Sequence, residues 1–217
     1  MSWYRNNWYY VGGILFVIMA FVVGIFGPEM EPTRRLMILF FMALVLHEFE
    51  EYVLPGGFPI ALNMGMFGET ELPDRYPGNT LSCIIVNIYV AYPLYIAGII
   101  FHDFYSLGLF IAYFGMAQIG IHGIMLNKKL HLKYNPGMAT VFLVLVPLGI
   151  YYICYVSRHF DVTLWGWLLP LILLFPVCFL TILFPIIKLK DKNTKYVLPE
   201  RDSKGFTIEG GIARLKR

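Results

Sequence analysis

Charged side chains are scarce in this sequence. Only 14% of the 217 residues are Asp, Glu, Lys or Arg, against about a quarter in a typical soluble domain. Apolar residues make up 58%, and many aromatic side chains stand where hydrophobic runs begin, as they do at membrane interfaces. An ordinary soluble domain is therefore excluded, and no nucleic-acid partner is expected.

Cysteine is also rare. Cys83, Cys154 and Cys178 are scattered through apolar runs without pairing or ligand spacing, so they are predicted to be packing residues. The N-terminus has no polar region ending in a small-residue cleavage site. Its apolar run, residues 11–26, is therefore interpreted as a retained first helix.

Long hydrophobic runs, in contrast, are abundant. A membrane-spanning helix needs about 20 mainly apolar residues, and six such stretches are separated by Gly, Pro or charges. The predicted helices are residues 8–26, 35–54, 81–101, 105–126, 137–155 and 164–187. The predicted fold class is all-α, a polytopic membrane bundle of about six transmembrane helices.

Lysines lie on one side of this predicted topology, between the fourth and fifth helices and after the sixth. By the positive-inside rule the N and C termini are cytoplasmic. Residues 1–187 then form a transmembrane domain with its site on the cytoplasmic side, and residues 188–217 form a basic, polar tail. Residues 55–80 also face the cytoplasm; their Pro/Gly-rich start and apolar patch fit either a re-entrant lid or a plain connector.

The second predicted helix ends in a cluster of ionisable residues, His47-Glu48-Phe49-Glu50-Glu51. Charge at membrane depth costs several kcal/mol, on the order of 3, unless it is paired, metal-bound or facing water. At about 100° per residue, Glu50 and Glu51 flank His47 on one face, whereas Glu48 points away. Imidazole and carboxylates on one face indicate a metal site. A helix end among lipid headgroups, with protonated or lysine-paired glutamates, is the alternative.

Other polar residues fall in the same cytoplasmic half of the predicted bundle. The predicted metal ligands are His47, Glu50, Glu51, His122 and His131; the predicted positioning residues are Asn87, Gln118, Tyr134 and Asn135. The other two histidines, His102 and His159, fall on the opposite side and are predicted to be interfacial.

The sequence resembles the HXXEE family of bacterial and archaeal integral membrane proteins at the motif filled by His47, Glu50 and Glu51. The resemblance extends to Asn87, His122, His131 and Tyr134-Asn135-Pro136-Gly137. It implies a protein of the prokaryotic cytoplasmic membrane, and it leaves the reaction open because the family has no settled activity.

A zinc-protease pattern, His47-Glu48-x-x-Glu51, would make Glu48 the base. In the resembling family the two positions after the histidine vary, so Glu50 is preferred to Glu48.

These observations favour a membrane metalloenzyme in which Glu50 and Glu51 are catalytic, Glu50 as a ligand or as the base. The expected cofactor is a divalent ion, zinc first, with iron or manganese as alternatives. Such an ion activates water for hydrolysis, and the leaflet position favours a lipid-like or small amphiphilic substrate. Membrane lipids are the expected partners, and a homo-oligomer is left open.

Two other functions are compatible with the same residues. Glutamates and histidines on facing helices also suit a di-iron or di-manganese oxidoreductase, although such bundles usually draw carboxylates from more than one helix. The third function is a transporter of a metal ion or small solute, although no polar residues continue a path to the far side.

Overall fold

The computed structural model describes residues 2–203 and the backbone of residues 206–209 and 212–215. Its helices are α1 (Ser2–Phe26), α2 (Pro32–Tyr52), α3 (Phe58–Phe67), α4 (Thr80–Ile100), α5 (Tyr105–Leu130), α6 (Met138–His159) and α7 (Leu164–Lys188). Five of them, α1 and α4 to α7, are long and apolar enough to cross a membrane. The predicted all-α bundle is therefore present, and α2, 21 residues long, coincides with the other predicted span.

Four short elements complete the described part of the chain. Residues Gly27–Glu29 and Glu200–Ser203 form single 3-10 turns. The strands β1 (Phe206–Glu209) and β2 (Ile212–Leu215) pair antiparallel, with Phe206 opposite Leu215. This hairpin lies within the predicted tail and was not foreseen from the sequence.

Helix α2 lies in the centre of the bundle. Its side chains from Leu36 to Tyr52 are mostly buried, and Phe40 is completely buried. Helices α1, α4 and α6 pack around it, and a helix buried on all sides needs no single apolar face. Polar side chains near the end of α2 are consequently held inside protein.

Four of the long helices contain a π-helical segment, which adds a residue to the local turn. These segments are Ile85–Ala91 in α4, Ile119–Met125 in α5, Val141–Leu145 in α6 and Phe179–Leu183 in α7. Such segments frequently occur at functional sites, because the wider turn redirects side chains. The first two contain Asn87 and His122.

The linker of residues 55–80 contains helix α3, which packs on the end of α5. Ile60 and Ala61 are fully buried against Leu126. A Cβ atom on Gly65 would lie 2.6 Å from Leu126 Cδ2, so this close approach requires glycine. The apolar patch of the linker is therefore a short helix that covers the end of α5.

The chain after α7 folds back over this covering helix. The Leu198 side chain joins the cluster of Ile60, Ala61 and Leu126, and the Leu198 amide donates to Asp74 O at 2.8 Å. Asp202 is buried and accepts a hydrogen bond from the Tyr9 hydroxyl at 3.1 Å. This part of the tail is packed, although its composition is polar and basic.

Candidate metal centre

Helices α2 and α5 bring two imidazoles and one carboxylate together. His47 Nε2 lies 3.4 Å, and His122 Nε2 3.3 Å, from the same oxygen, Glu51 Oε1. Each residue offers one ligand atom, and these atoms all lie within 4.8 Å of one another. All three side chains are buried. The spacing of four residues in α2 places His47 and Glu51 on one face, one turn apart.

The two nitrogen-to-oxygen distances are compatible with ligands of a tetrahedrally coordinated ion. Four ligands at about 2.0–2.1 Å from zinc lie about 3.4 Å from one another, close to the 3.3 and 3.4 Å separations of the two nitrogens from Glu51. Among the described residues, buried Nε2 of His122 has no hydrogen-bond partner, and a buried polar atom without a partner is costly. An ion between the three side chains would satisfy it.

Asn135 fixes the ring of His122. His122 Nδ1 donates to Asn135 Oδ1 at 2.9 Å, and Asn135 Nδ2 donates back to His122 O and to Asn127 Oδ1, both at 2.7 Å. We assign the proton to Nδ1 because the amide orientation makes Oδ1 the acceptor. Nε2 then presents its lone pair to Glu51, as a metal-ligating histidine does.

Thr140 fixes the ring of His47 in the same way. The Thr140 hydroxyl donates to Glu50 Oε2 at 2.6 Å, so its oxygen accepts from His47 Nδ1 at 2.9 Å. The lone pair of His47 Nε2 consequently also faces Glu51. Both histidines thus have the ring orientation and tautomer that ligation by Nε2 requires.

The Glu50 carboxylate is occupied by hydrogen bonds from the start of α6 and the loop before it. Its oxygens accept from the Thr140 and Ala139 amides at 2.7 and 3.0 Å, from the Thr140 hydroxyl and from the Tyr134 hydroxyl at 2.6 Å. A carboxylate at a helix N-terminus satisfies free amides and the helix dipole. Desolvation and the bond to Glu50 raise the pKa of the Tyr134 hydroxyl. The structure therefore groups Glu51, and not Glu50, with the histidines.

The other predicted site residues lie outside the three-residue group. His131, a predicted ligand, ends α5 with a left-handed backbone, φ 54°, and is exposed. Asn87 donates to Tyr52 Oη and Cys83 O, and Gln118 lines the adjoining cavity. His131 is thus not part of the three-residue group, whereas Asn87 and Gln118 line the same cavity as His47 and Glu51.

Three residues that were not predicted as site residues complete the surroundings, although Gly137 belongs to the motif Tyr134-Asn135-Pro136-Gly137. The Thr140 hydroxyl bonds to His47 Nδ1, and Gly137 and Phe58 enclose the His122 ring. Gly137 has φ +97°, and a Cβ there would lie 2.4 Å from His122 Cε1. Phe58, at the start of α3, stacks on the His122 ring with 4.8 Å between centroids. A glycine after Asn135-Pro136 is the one local signal for a close backbone approach.

Glu48 lies three residues before Glu51 on α2 and is also buried. Its Oε2 accepts from the Tyr92 hydroxyl at 2.9 Å, and no hydrogen-bond partner for Oε1 is found in the described part of the chain. Glu48 lines a cavity of about 580 Å³ that His47 and Glu51 also line. The cavity volume lies in the range of sites for small ligands.

Residues 38–152 match the family described as "Protein of unknown function with HXXEE motif", which is more than half of the chain. The chain belongs to this family. No curated protein and no solved structure matches the chain. The matched range of the HXXEE family includes His47, Glu51 and His122 together with Asn135 and Thr140, which fix the histidine rings.

Proposed function

We propose that the protein is an integral membrane metalloenzyme that binds one divalent ion through His47, Glu51 and His122. The observation that carries the proposal is the matched arrangement of the two histidines. Each Nδ1 is held by a partner from the region before or at the start of α6, and each Nε2 faces Glu51 Oε1. Zinc is the first expected ion, because two imidazoles and a carboxylate form a hydrolytic zinc set; iron or manganese also accept these ligands.

The expected reaction is hydrolysis of a lipid-like or amphiphilic substrate. When bound, the ion supplies a water of lowered pKa and polarises the bond under attack. His47 and His122 hold the ion, and Asn135 and Thr140 keep their rings aligned. Glu50 positions Thr140 and the start of α6, because its oxygens are engaged by four donors. The cavity beside the group has mainly apolar walls, which supports an amphiphile.

The proposed setting is the prokaryotic cytoplasmic membrane, with α2 as the sixth span. Lysines between α5 and α6 and after α7 support cytoplasmic N and C termini. Reporters fused after Arg217 and inserted near Asp74 should both register in the cytoplasm. A periplasmic signal from either reporter would contradict the proposal that the site lies at the cytoplasmic leaflet.

Metal analysis of detergent-purified protein tests the centre. Wild type should contain about one equivalent of a divalent ion, and His47→Ala should lose it. His159→Ala is the matched control, since His159 is exposed at the end of α6 and bonds only to Tyr155 O among described residues. Wild type without metal would overturn the proposal.

The same measurement addresses the di-iron or di-manganese alternative. The three-residue group has one carboxylate, whereas a carboxylate-bridged pair of ions usually takes several. If two equivalents of iron or manganese per chain are found, an oxidoreductase replaces the hydrolase as the proposed function.

A further inference from the structure

The cavity beside the metal centre has a polar end and an apolar end. Its polar end is lined by His47, Glu48 and Glu51 of α2. Its remaining walls come mostly from apolar side chains of α3, α4, α5 and α7. On α5 the lining extends from Phe110 to Ile121, which corresponds to a length of about 16 Å. The space is therefore elongated along the helices, with its ionisable groups on α2.

The wall formed by α7 also reaches the outer surface of the bundle. Phe175 lines the cavity and is 84% exposed, and Leu171 lines it and is 50% exposed. Helix α7 packs mainly along α5 and meets α4 mainly at its π-helical segment and last turn. The wall between α4 and α7 is consequently thin, and in a membrane this outer surface faces hydrocarbon.

We propose that the cavity binds one long hydrocarbon chain of a single-chain amphiphile. The chain enters from the lipid phase between α4 and α7, and the polar head lies beside His47 and Glu51, which line the cavity. This inference rests on the proposed function for the chemistry at the head, but the chain site stands on the cavity itself. One chain fits because the walls are mostly apolar along an extended path, and the carboxylates and the imidazole of the lining all lie on α2.

The occupant follows from the chemistry of the walls. A water-soluble substrate would leave its polar groups unpaired against Leu94, Phe114 and Leu174, which line the cavity. A hydrocarbon chain loses nothing there, because it exchanges one apolar surrounding for another. Lateral entry also avoids moving α3 and the tail, which pack over the end of α5.

Binding of cis-parinaric acid, a fluorescent long-chain fatty acid, tests the chain site in purified protein. Val90 lines the cavity, whereas its neighbour Tyr89 is 65% exposed. Val90→Trp should weaken probe binding by roughly tenfold or more because the indole fills the cavity, and Tyr89→Trp should bind as wild type does. Leu94→Trp, about one turn farther along α4, provides a second blocking variant.

Metal content, measured on the same samples, separates the two proposals. Blocking variants that retain metal but lose the probe support the chain site, and their metal shows that they are folded. Wild-type binding by both Val90→Trp and Leu94→Trp would overturn it. A wild type that binds the probe without holding metal would refute the proposed function and leave the chain site standing.

Saturated fatty acids of increasing length, used as competitors, provide a second measurement. Referred to the free aqueous concentration of each competitor, affinity should rise about fourfold for each added methylene until the cavity is full, because each methylene then leaves water. An affinity that does not depend on chain length would contradict a site for a hydrocarbon chain.

Discussion

Each end of α2 has a histidine beside a carboxylate, and the two sites differ in one respect. His47 belongs to α2 itself, whereas His102 belongs to the turn between α4 and α5 and contacts the start of α2. At the start of α2, His102 Nε2 accepts from Arg34 at 2.8 Å, and its Nδ1 lies 2.9 Å from Thr33 Oγ1 and 3.0 Å from Asp103 Oδ1. Both ring nitrogens are therefore engaged. At the other end, about 20 Å along the helix, the Nδ1 atoms of His47 and His122 are hydrogen-bonded, and their Nε2 atoms face Glu51 Oε1 at 3.4 and 3.3 Å.

The comparison shows that proximity to a carboxylate does not identify a ligand. His102 is buried, yet it has no lone pair available and a guanidinium beside it, so a cation is disfavoured there. It links α2 to the turn between α4 and α5. His102 was predicted to lie at the membrane interface on the side opposite His47; in the structure it is buried at the end of α2 opposite His47. The hydrogen bond at the second nitrogen distinguishes a structural histidine from a metal-binding one.

Removing one histidine from each end should give the largest difference. We expect His122→Ala to lower metal content to background, because the ion loses one of three ligands. His102→Ala should keep full metal content and lower only thermal stability, since it deletes hydrogen bonds at the far end. Equal metal loss in both variants would show that the two ends do not differ as described.

Gly137→Ala should have the next largest effect. The added methyl group would lie 2.4 Å from His122 Cε1 at a backbone φ of +97°, so the ring must move or the loop must shift. We expect a cost of about 1–3 kcal/mol and a strongly reduced metal affinity, read from thermal unfolding and metal titration.

Gly68→Ala is its control. Gly68 has a similar φ of +70°, but nothing lies within 4 Å of its Cβ position. Gly68→Ala should therefore lower the free energy of unfolding without lowering metal affinity. A similar loss of affinity in Gly68→Ala would assign the effect to backbone strain alone.

Loss of the Asn135 side chain should weaken metal binding without abolishing it. Asn135→Ala frees the His122 ring, and outer partners of this kind typically contribute about 10–100-fold in affinity. Asn135→Asp keeps the acceptor for Nδ1 and should recover part of the loss. Unchanged affinity in Asn135→Ala would mean that this bond does not orient the ring for an ion.

Glu50→Gln should act mainly on the start of α6. An amide cannot accept all the hydrogen bonds that Glu50 receives, so we expect a stability loss of about 1–3 kcal/mol. Metal content should be retained, with affinity lowered by about tenfold at most. Glu51→Gln, the matched change one residue later, should lose the metal. If Glu50→Gln loses the metal and Glu51→Gln retains it, Glu50 is the ligand.

The helices and the grouping of three site residues follow from local properties of the sequence. Long apolar runs predict the long helices, because hydrophobicity over about 20 residues decides membrane insertion. His47 and Glu51 share a face through their spacing in α2, and a depth argument along the helices relates them to His122. The structure places these three side chains together.

The remaining assignments depend on long-range packing that a sequence pattern does not contain. A helical projection shows that Glu50 shares the face of His47, but not that the N-terminus of α6 lies against it. Thr140 contacts His47 across 93 positions, with no motif linking them. His131 is not part of the three-residue group. Its left-handed backbone ends α5, and its residue type did not predict this conformation.

The smallest effect is expected for Glu48→Gln. Glu48 lines the same cavity as His47 and Glu51, but it does not belong to the three-residue group and its Oε2 accepts from the Tyr92 hydroxyl at 2.9 Å. The amide oxygen of glutamine can still accept that hydrogen bond, so metal affinity should change by less than about twofold. Metal titration of Glu48→Gln beside Glu51→Gln checks this. A loss of metal in both variants would place Glu48 in the centre, in agreement with the protease-like pattern.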